Sequence, residues 1–208
     1  MLSESLFLVS LTAELSVMEG VPGRGQVSVV LAGDKLARAI ADDSSDWLFE
    51  WKADGFRALA YYKTFGNLRD TLAELKVTAI LDGEIVCLDE EGRSLFMPLL
   101  ARKAQASFYS FDLLWLGAKD LRGLPLVQRK QRLQRLVTKA KLPGVIYASH
   151  IEQQGIALYQ QICQRDLEGI VCKRKDSIYS SKSRWLKVKN PDYTQAVGRR
   201  EMFERFRG

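Results

Sequence analysis

A chain of 208 residues, 47% of them hydrophobic and 27% charged, can bury one large core or two small ones. Its 31 basic and 25 acidic residues give a net charge of +6 and a pI near 9.2, a weak bias toward nucleic acid, nucleotides or other anionic partners. One histidine and three scattered cysteines exclude His-rich metal centres, zinc ribbons and a disulfide framework. His150 reads as a surface or loop residue, and Cys87, Cys163 and Cys172 as buried thiols of a protein from a reducing cytosol.

The apolar run from Leu6 to Val17 is interrupted by Glu14, lacks a basic leader and falls short of the roughly 20 apolar residues a bilayer requires. Neither a signal peptide nor a membrane anchor is expected. The glycines from Gly20 to Gly25 are not followed by Gly-Lys-Ser/Thr, so they form a turn rather than a phosphate loop. Val27 to Ala32 suits a strand. Residues 1–45 otherwise read as an N-terminal extension whose structure the sequence does not specify.

From Trp47 the pattern sharpens. Trp47–Lys52 and Phe56–Tyr62 read as paired strands around a turn at Gly55, and alternation puts Glu50, Lys52 and Asp54 on one face. Leu68, Leu72 and Leu75 predict a short amphipathic helix over Asn67–Lys76. Ala79–Leu81 and Ile85–Leu88 read as apolar strand runs interrupted by Asp82-Gly83-Glu84, with Asp82-Gly83 resembling a hairpin turn. Phe108–Leu116 is a strand with Asp112 at its middle. A basic-faced helix follows Pro125 through Leu126, Leu133, Leu136 and Val137. Val145–Ala148, Gly169–Lys173 and Trp185–Val188 are strands, and Ile156–Cys163 is a helix. Helices interspersed this irregularly predict an α+β fold with antiparallel pairing, not a doubly wound parallel sheet.

Several of these strands carry charges, which are costly to bury unless paired or used. Lys52, Asp54, Arg57, Asp82, Glu84, Asp112, Glu168, Lys187 and Lys189 follow one another along the chain. Singly, each has a structural explanation in a turn, a helix end or a protected sheet edge. As an ordered set they form a pattern. Lys52-Ala53-Asp54-Gly55-Phe56-Arg57, Leu81-Asp82-Gly83-Glu84, Phe111-Asp112-Leu113-Leu114, Glu168-Gly169 and Trp185-Leu186-Lys187-Val188-Lys189 resemble, in order, five motifs of one superfamily. It is the nucleotidyltransferase superfamily of ATP-dependent DNA ligases, RNA ligases and messenger-RNA capping enzymes. Asp120-Leu121-Arg122-Gly123-Leu124-Pro125 and Glu168 to Arg174 are similar in wording to the ligase module of bacterial end-joining DNA ligases.

The resemblance covers about residues 47–198 and implies an antiparallel adenylation domain over 46–198, followed by a basic tail at 199–208. It implies that Lys52 takes AMP from ATP, that Lys187 and Lys189 contact the phosphates, and that Glu168 holds Mg²⁺, with Asp54 or Glu84 as further ligands. Glu84 would accept from a ribose hydroxyl, Arg57 would lie near ribose and phosphate, Phe111 would stack on adenine, and Glu50 would read its amino group. Arg57 and the missing zinc cysteines favour ATP over NAD. The expected partner is nicked or broken duplex DNA in a bacterial cytosol. Two family features have no counterpart here. Tyr61–Asn67 stands where the family has a Ser-Arg-Asn-Gly-like hairpin, with Arg69 just beyond as a candidate substitute arginine. Residues 199–208 are too short for the family's C-terminal oligonucleotide-binding barrel, which a partner protein could supply. The alternatives are an RNA ligase or capping-type enzyme, and a truncated remnant that binds nucleotide or DNA without sealing.

Overall fold

A computed structural model describes residues 9–11, 27–31, 45–60, 71–72, 74–75, 77–101 and 104–196. The strands are β1 (Val9–Leu11), β2 (Val27–Leu31), β3 (Trp47–Trp51), β4 (Phe56–Ala60), β5 (Ala79–Val86), β6 (Ser107–Leu116), β7 (Lys119–Asp120), β8 (Val145–Tyr147), β9 (His150–Glu152), β10 (Gly169–Arg174) and β11 (Arg184–Lys189). The helices are α1 (Phe96–Leu100), α2 (Leu126–Ala140) and α3 (Gly155–Gln164), with a short 3-10 turn at Thr194–Ala196.

One sheet runs β1-β4-β5-β6-β7, with β8 also paired to β6, and the other runs β2-β11-β10-β3-β9. Pairing is antiparallel except for β2 with β11 and β6 with β8. The α+β, mainly antiparallel expectation is met. Strands β1 and β2, from the stretch read as an extension, each occupy an edge of one sheet.

Each sheet buries one face under a helix, as alternating apolar patterns require. Leu81, Phe108, Leu113 and Leu133 build the core between the first sheet and α2. Phe49, Ile162, Ile170 and Val188 build the core between the second sheet and α3. Val86, Tyr109, Phe111, Val171 and Trp185 form a third cluster with residues from both sheets. Helix α2 has no side-chain cap, but its first amides donate outward. Leu126 N–H meets the Ser177 carbonyl at 2.9 Å and Val127 N–H that of Lys175 at 3.1 Å.

Two expectations fail here. β3 and β4 do not form a hairpin: β3 pairs with β10 and β9, whereas β4 pairs with β1 and β5 in the other sheet. The Lys52–Gly55 segment is therefore a crossing between sheets. A Cβ on Gly55 would lie 2.0 Å from the Ile85 carbonyl oxygen, so only glycine passes this close to β5. Asp82-Gly83 is not a turn either. β5 runs unbroken through it with a register shift, and Gly83 leaves room for the Phe108 ring, which a Cβ would meet at 2.5 Å.

Smaller differences follow the same lines. His150 belongs to β9 and is half-buried, its Nδ1 3.2 Å from the Tyr147 hydroxyl. Cys87 and Cys172 are buried, but Cys163 is partly exposed on α3. The helix expected over Asn67–Lys76 and the Tyr61–Asn67 connection lie largely outside the described residues, although Leu72 and Leu75 are buried in the first core. Among the described residues no helix is long and apolar enough to cross a membrane.

Candidate active site

The crossing between the sheets creates a cleft lined by Glu50, Lys52, Arg57, Glu84, Phe111 and Lys187 from the expected set. Trp51, Ala53, Tyr109, Val171, Lys173 and Trp185 complete its wall. Its empty volume is about 540 Å³, part of it continuous with solvent. Lys52 follows β3 directly, and its N–H donates to the Gly169 carbonyl at 2.9 Å, fixing the crossing to the second sheet. Its ammonium forms an ion pair with Glu168 Oε2, a buried oxygen that receives no hydrogen bond of proper geometry. Lys189 Nζ stands 4.0 Å from the other Glu168 oxygen and is over half exposed.

Arg57 starts from the first sheet. Its guanidinium donates to both oxygens of buried Asp82, at 3.2 and 2.8 Å, and lies 4.9 Å above the Trp185 ring. Asp82 raises the guanidinium's hold on its proton despite the opposing effect of burial, so Arg57 is a fixed cation. The Tyr179 hydroxyl donates to Asp82 Oδ2 at 2.9 Å, bracing the same carboxylate. Beside them, Glu84 carries a carboxyl that burial pushes up to about 7, with repulsion from Glu168 adding and Lys52, Lys187 and Arg57 opposing. Burial holds the Lys187 ammonium below its ordinary range, and the neighbouring cations Lys52 and Arg57 add to the effect.

Glu50 lies deepest. Lys130 donates to one of its oxygens and Lys173 to the other at 2.6 Å, and Lys130 also donates to the Ala148 carbonyl at 2.8 Å. Burial alone would raise the Glu50 carboxyl, but the two ammonium groups together hold it below the usual carboxylate range. Lys173 also lies 4.3 Å from the Phe111 ring centre and 4.0 Å from that of Trp185. Phe111 meets Trp185 edge-on, with centroids 5.3 Å apart.

Asp54 stands apart from the cleft wall. Its carboxylate accepts from the Tyr193 hydroxyl at 2.7 Å, and its N–H donates to Ser94 Oγ at 3.0 Å. Among the described residues, no group of three or more His, Cys, Asp or Glu side chains surrounds a metal position. Lys130, Lys173, Tyr179 and Trp185 were not singled out from sequence as separate site residues. For Lys130 a signal exists: it shares the buried face of α2 with Leu126 and Leu133, where an unpaired lysine would be costly.

Two sheets meeting across a lysine-bearing cleft define the catalytic fold of nucleotidyltransferases of the DNA ligase type. The ligase domain of Mycobacterium tuberculosis LigD superposes with a TM-score of 0.61 at 24% identity, covering 79% of this chain and 59% of that one. A mycobacterial DNA ligase D solved with ATP and MES superposes with a TM-score of 0.58 at 26% identity, covering 70% and 55%. Residues 59–189 match the model of the ATP dependent DNA ligase domain, and the chain belongs to that family. Among curated relatives, the multifunctional non-homologous end joining protein LigD of Mycolicibacterium smegmatis is 30% identical over 170 residues, 70% of this chain and 22% of its own length. A probable DNA ligase of Streptomyces coelicolor is 30% identical over 189 residues, 78% of this chain and 37% of its own. The chain thus spans well under half the length of these two curated relatives.

Proposed function

We propose that this chain is an adenylating enzyme of DNA strand joining, with Lys52 as the nucleophile that carries AMP. The observation behind the proposal is the convergence of Lys52, Glu168, Glu84, Arg57 and Lys187 on one cleft with an aromatic wall. Lys52 Nζ attacks the α-phosphorus of ATP. Lys52 first releases one ammonium proton to water, which frees the nitrogen lone pair. A nitrogen–phosphorus bond then forms as the α-phosphorus loses its bond to the oxygen bridging to the β-phosphate, pyrophosphate leaves, and a second nitrogen proton also goes to water. Charge neutralisation and positioning dominate such a step. Arg57 supplies fixed positive charge at the cleft wall, Lys187 adds an ammonium beside it, and Lys189 adds a solvent-facing one.

Phe111 offers a ring for adenine to stack on, backed by Trp185. Each Glu50 oxygen retains a second lone-pair direction beyond its lysine, through which the adenine amino group is read. Glu84 accepts from a ribose hydroxyl. For Mg²⁺, the fit rests on Glu168, whose Oε2 is buried without a hydrogen bond and would be shared between the ion and its ion-pair partner Lys52, while Asp54 already accepts from Tyr193. One carboxylate with phosphate oxygens suffices for this ion, which would neutralise charge on the phosphate chain. The relatives named for non-homologous end joining support broken duplex DNA as the acceptor of AMP.

The test incubates the chain with Mg²⁺ and α-labelled ATP or GTP, denatures it, and follows label retained on protein. Label from ATP that passes to the 5′-phosphate of a nicked duplex is the expected result. No retained label with either nucleotide refutes adenylation, and label from GTP alone indicates a capping-type enzyme.

A further inference from the structure

The surface of α2 that turns away from the cleft carries most of the chain's charge asymmetry. Between Leu121 and Ile151 there are seven basic residues and no Asp or Glu. The whole chain has 31 basic and 25 acidic residues, so the remainder holds 24 against 25 and is close to neutral. Three of the seven are spent internally: Arg122 on Asp120, Arg129 on Asp112 and Lys130 on Glu50. Arg132, Arg135, Lys139 and Lys141 are exposed, and none forms an ion pair with a described residue.

Helical geometry puts Arg132, Arg135 and Lys139 in one stripe, at i, i+3 and i+7, spanning about 10 Å of axis. Gln128, Gln131 and Thr138 lie on the same side, and Gln131, Arg135, Thr138 and Lys139 line a shallow groove along it. Every polar side chain of this face can donate a hydrogen bond, and none is an anion. Arg129 and Lys130, on the opposite face, are buried and point toward the two sheets.

We infer that this stripe binds the sugar-phosphate backbone of duplex DNA, independently of base sequence. The inference rests on the DNA-joining reading above. Phosphate backbones are recognised by arginine, lysine, glutamine and threonine donors, as found here. The described face has no exposed aromatic ring for stacking single-stranded bases and none of the large exposed hydrophobic side chains that anchor protein partners. Because Lys130 reaches Glu50 from the other side of the helix, the stripe faces away from Lys52. It therefore holds a stretch of duplex apart from the one whose end reacts, increasing the time the enzyme stays on DNA.

The experiment measures binding of a nick-free duplex across a salt series, for the wild-type chain and for the triple variant Arg132→Gln, Arg135→Gln, Lys139→Gln. A control triple variant, Lys119→Gln, Arg165→Gln, Lys182→Gln, makes the same change in net charge elsewhere. The stripe variant should lose about tenfold or more in affinity at low salt. The slope of log affinity against log salt should flatten by about 2 to 3, since each phosphate contact contributes about 0.9. Retention of label from α-labelled ATP should be unchanged in both variants, which separates failure of this inference from failure of adenylation. Equal losses in the two variants, an unchanged salt slope, or equal competition by polyglutamate of matched charge would each overturn it.

Discussion

Lys130 and Lys173 close on Glu50 from two directions, so one buried carboxylate pairs with two buried ammonium groups. Removing that charge leaves two cations facing each other in low dielectric. Glu50→Gln should therefore destabilise the chain by about 3–5 kcal/mol in denaturant unfolding. A loss below about 1 kcal/mol would mean that the lysines find other partners. Glu84 gives a prediction of opposite character. Its carboxyl rises from the ordinary 4.5 to about 7 on folding, so the folded state holds a proton that the unfolded state releases. That contribution to stability is complete below pH 4.5 and disappears as pH rises to about 7. Each unit is worth about 1.4 kcal/mol, and water at the cleft mouth screens part of it. Unfolding free energies measured from pH 4 to 8 should fall more steeply in the wild type than in Glu84→Gln, which keeps the shape of the protonated form. Parallel curves would place the titration elsewhere.

Among the elements, β10 depends most on one residue. Gly169 has φ +148°, and a Cβ there would lie 2.0 Å from the Val188 carbonyl oxygen. The same residue accepts the Lys52 amide, so any shift of β10 moves both Glu168 and Lys52. Gly169→Ala should cost more than about 2 kcal/mol in denaturant unfolding and lower the rate of lysine labelling with it. A variant of wild-type stability would show that the strand can move aside. The elements also mark the limit of what the sequence conveys. The helix after Pro125 and the strands around Asp112, Glu168 and Lys187 were legible because periodicity and punctuation are local signals. The separation of β3 from β4 was not. Their partners, Val171 for Glu50 and Glu84 for Arg57, lie far along the chain, and no local pattern encodes which of two sheets a strand joins. Gly83 misled for a related reason: its lack of a side chain serves the Phe108 ring across the sheet rather than a turn. The site residues were named from motif order, but the pairing of Glu50 with Lys130 required the fold.

At the scale of the molecule, each sheet packs against its own helix, and the third apolar cluster joins them beneath the cleft. Lys52, Glu50, Glu168 and Lys187 come from the second sheet or its margins, whereas Arg57, Glu84 and Phe111 come from the first. Assembly of the cleft is thus inseparable from docking of the two sheets, and the chemistry proposed for it depends on Lys52 above all. Intact-mass measurement followed by peptide mapping, after incubation with ATP and Mg²⁺, addresses that dependence directly. One adenylate should be found on the peptide containing Lys52, and none on any peptide of the Lys52→Ala variant. An adenylate on a different residue, or its persistence in Lys52→Ala, would contradict the assignment of the nucleophile.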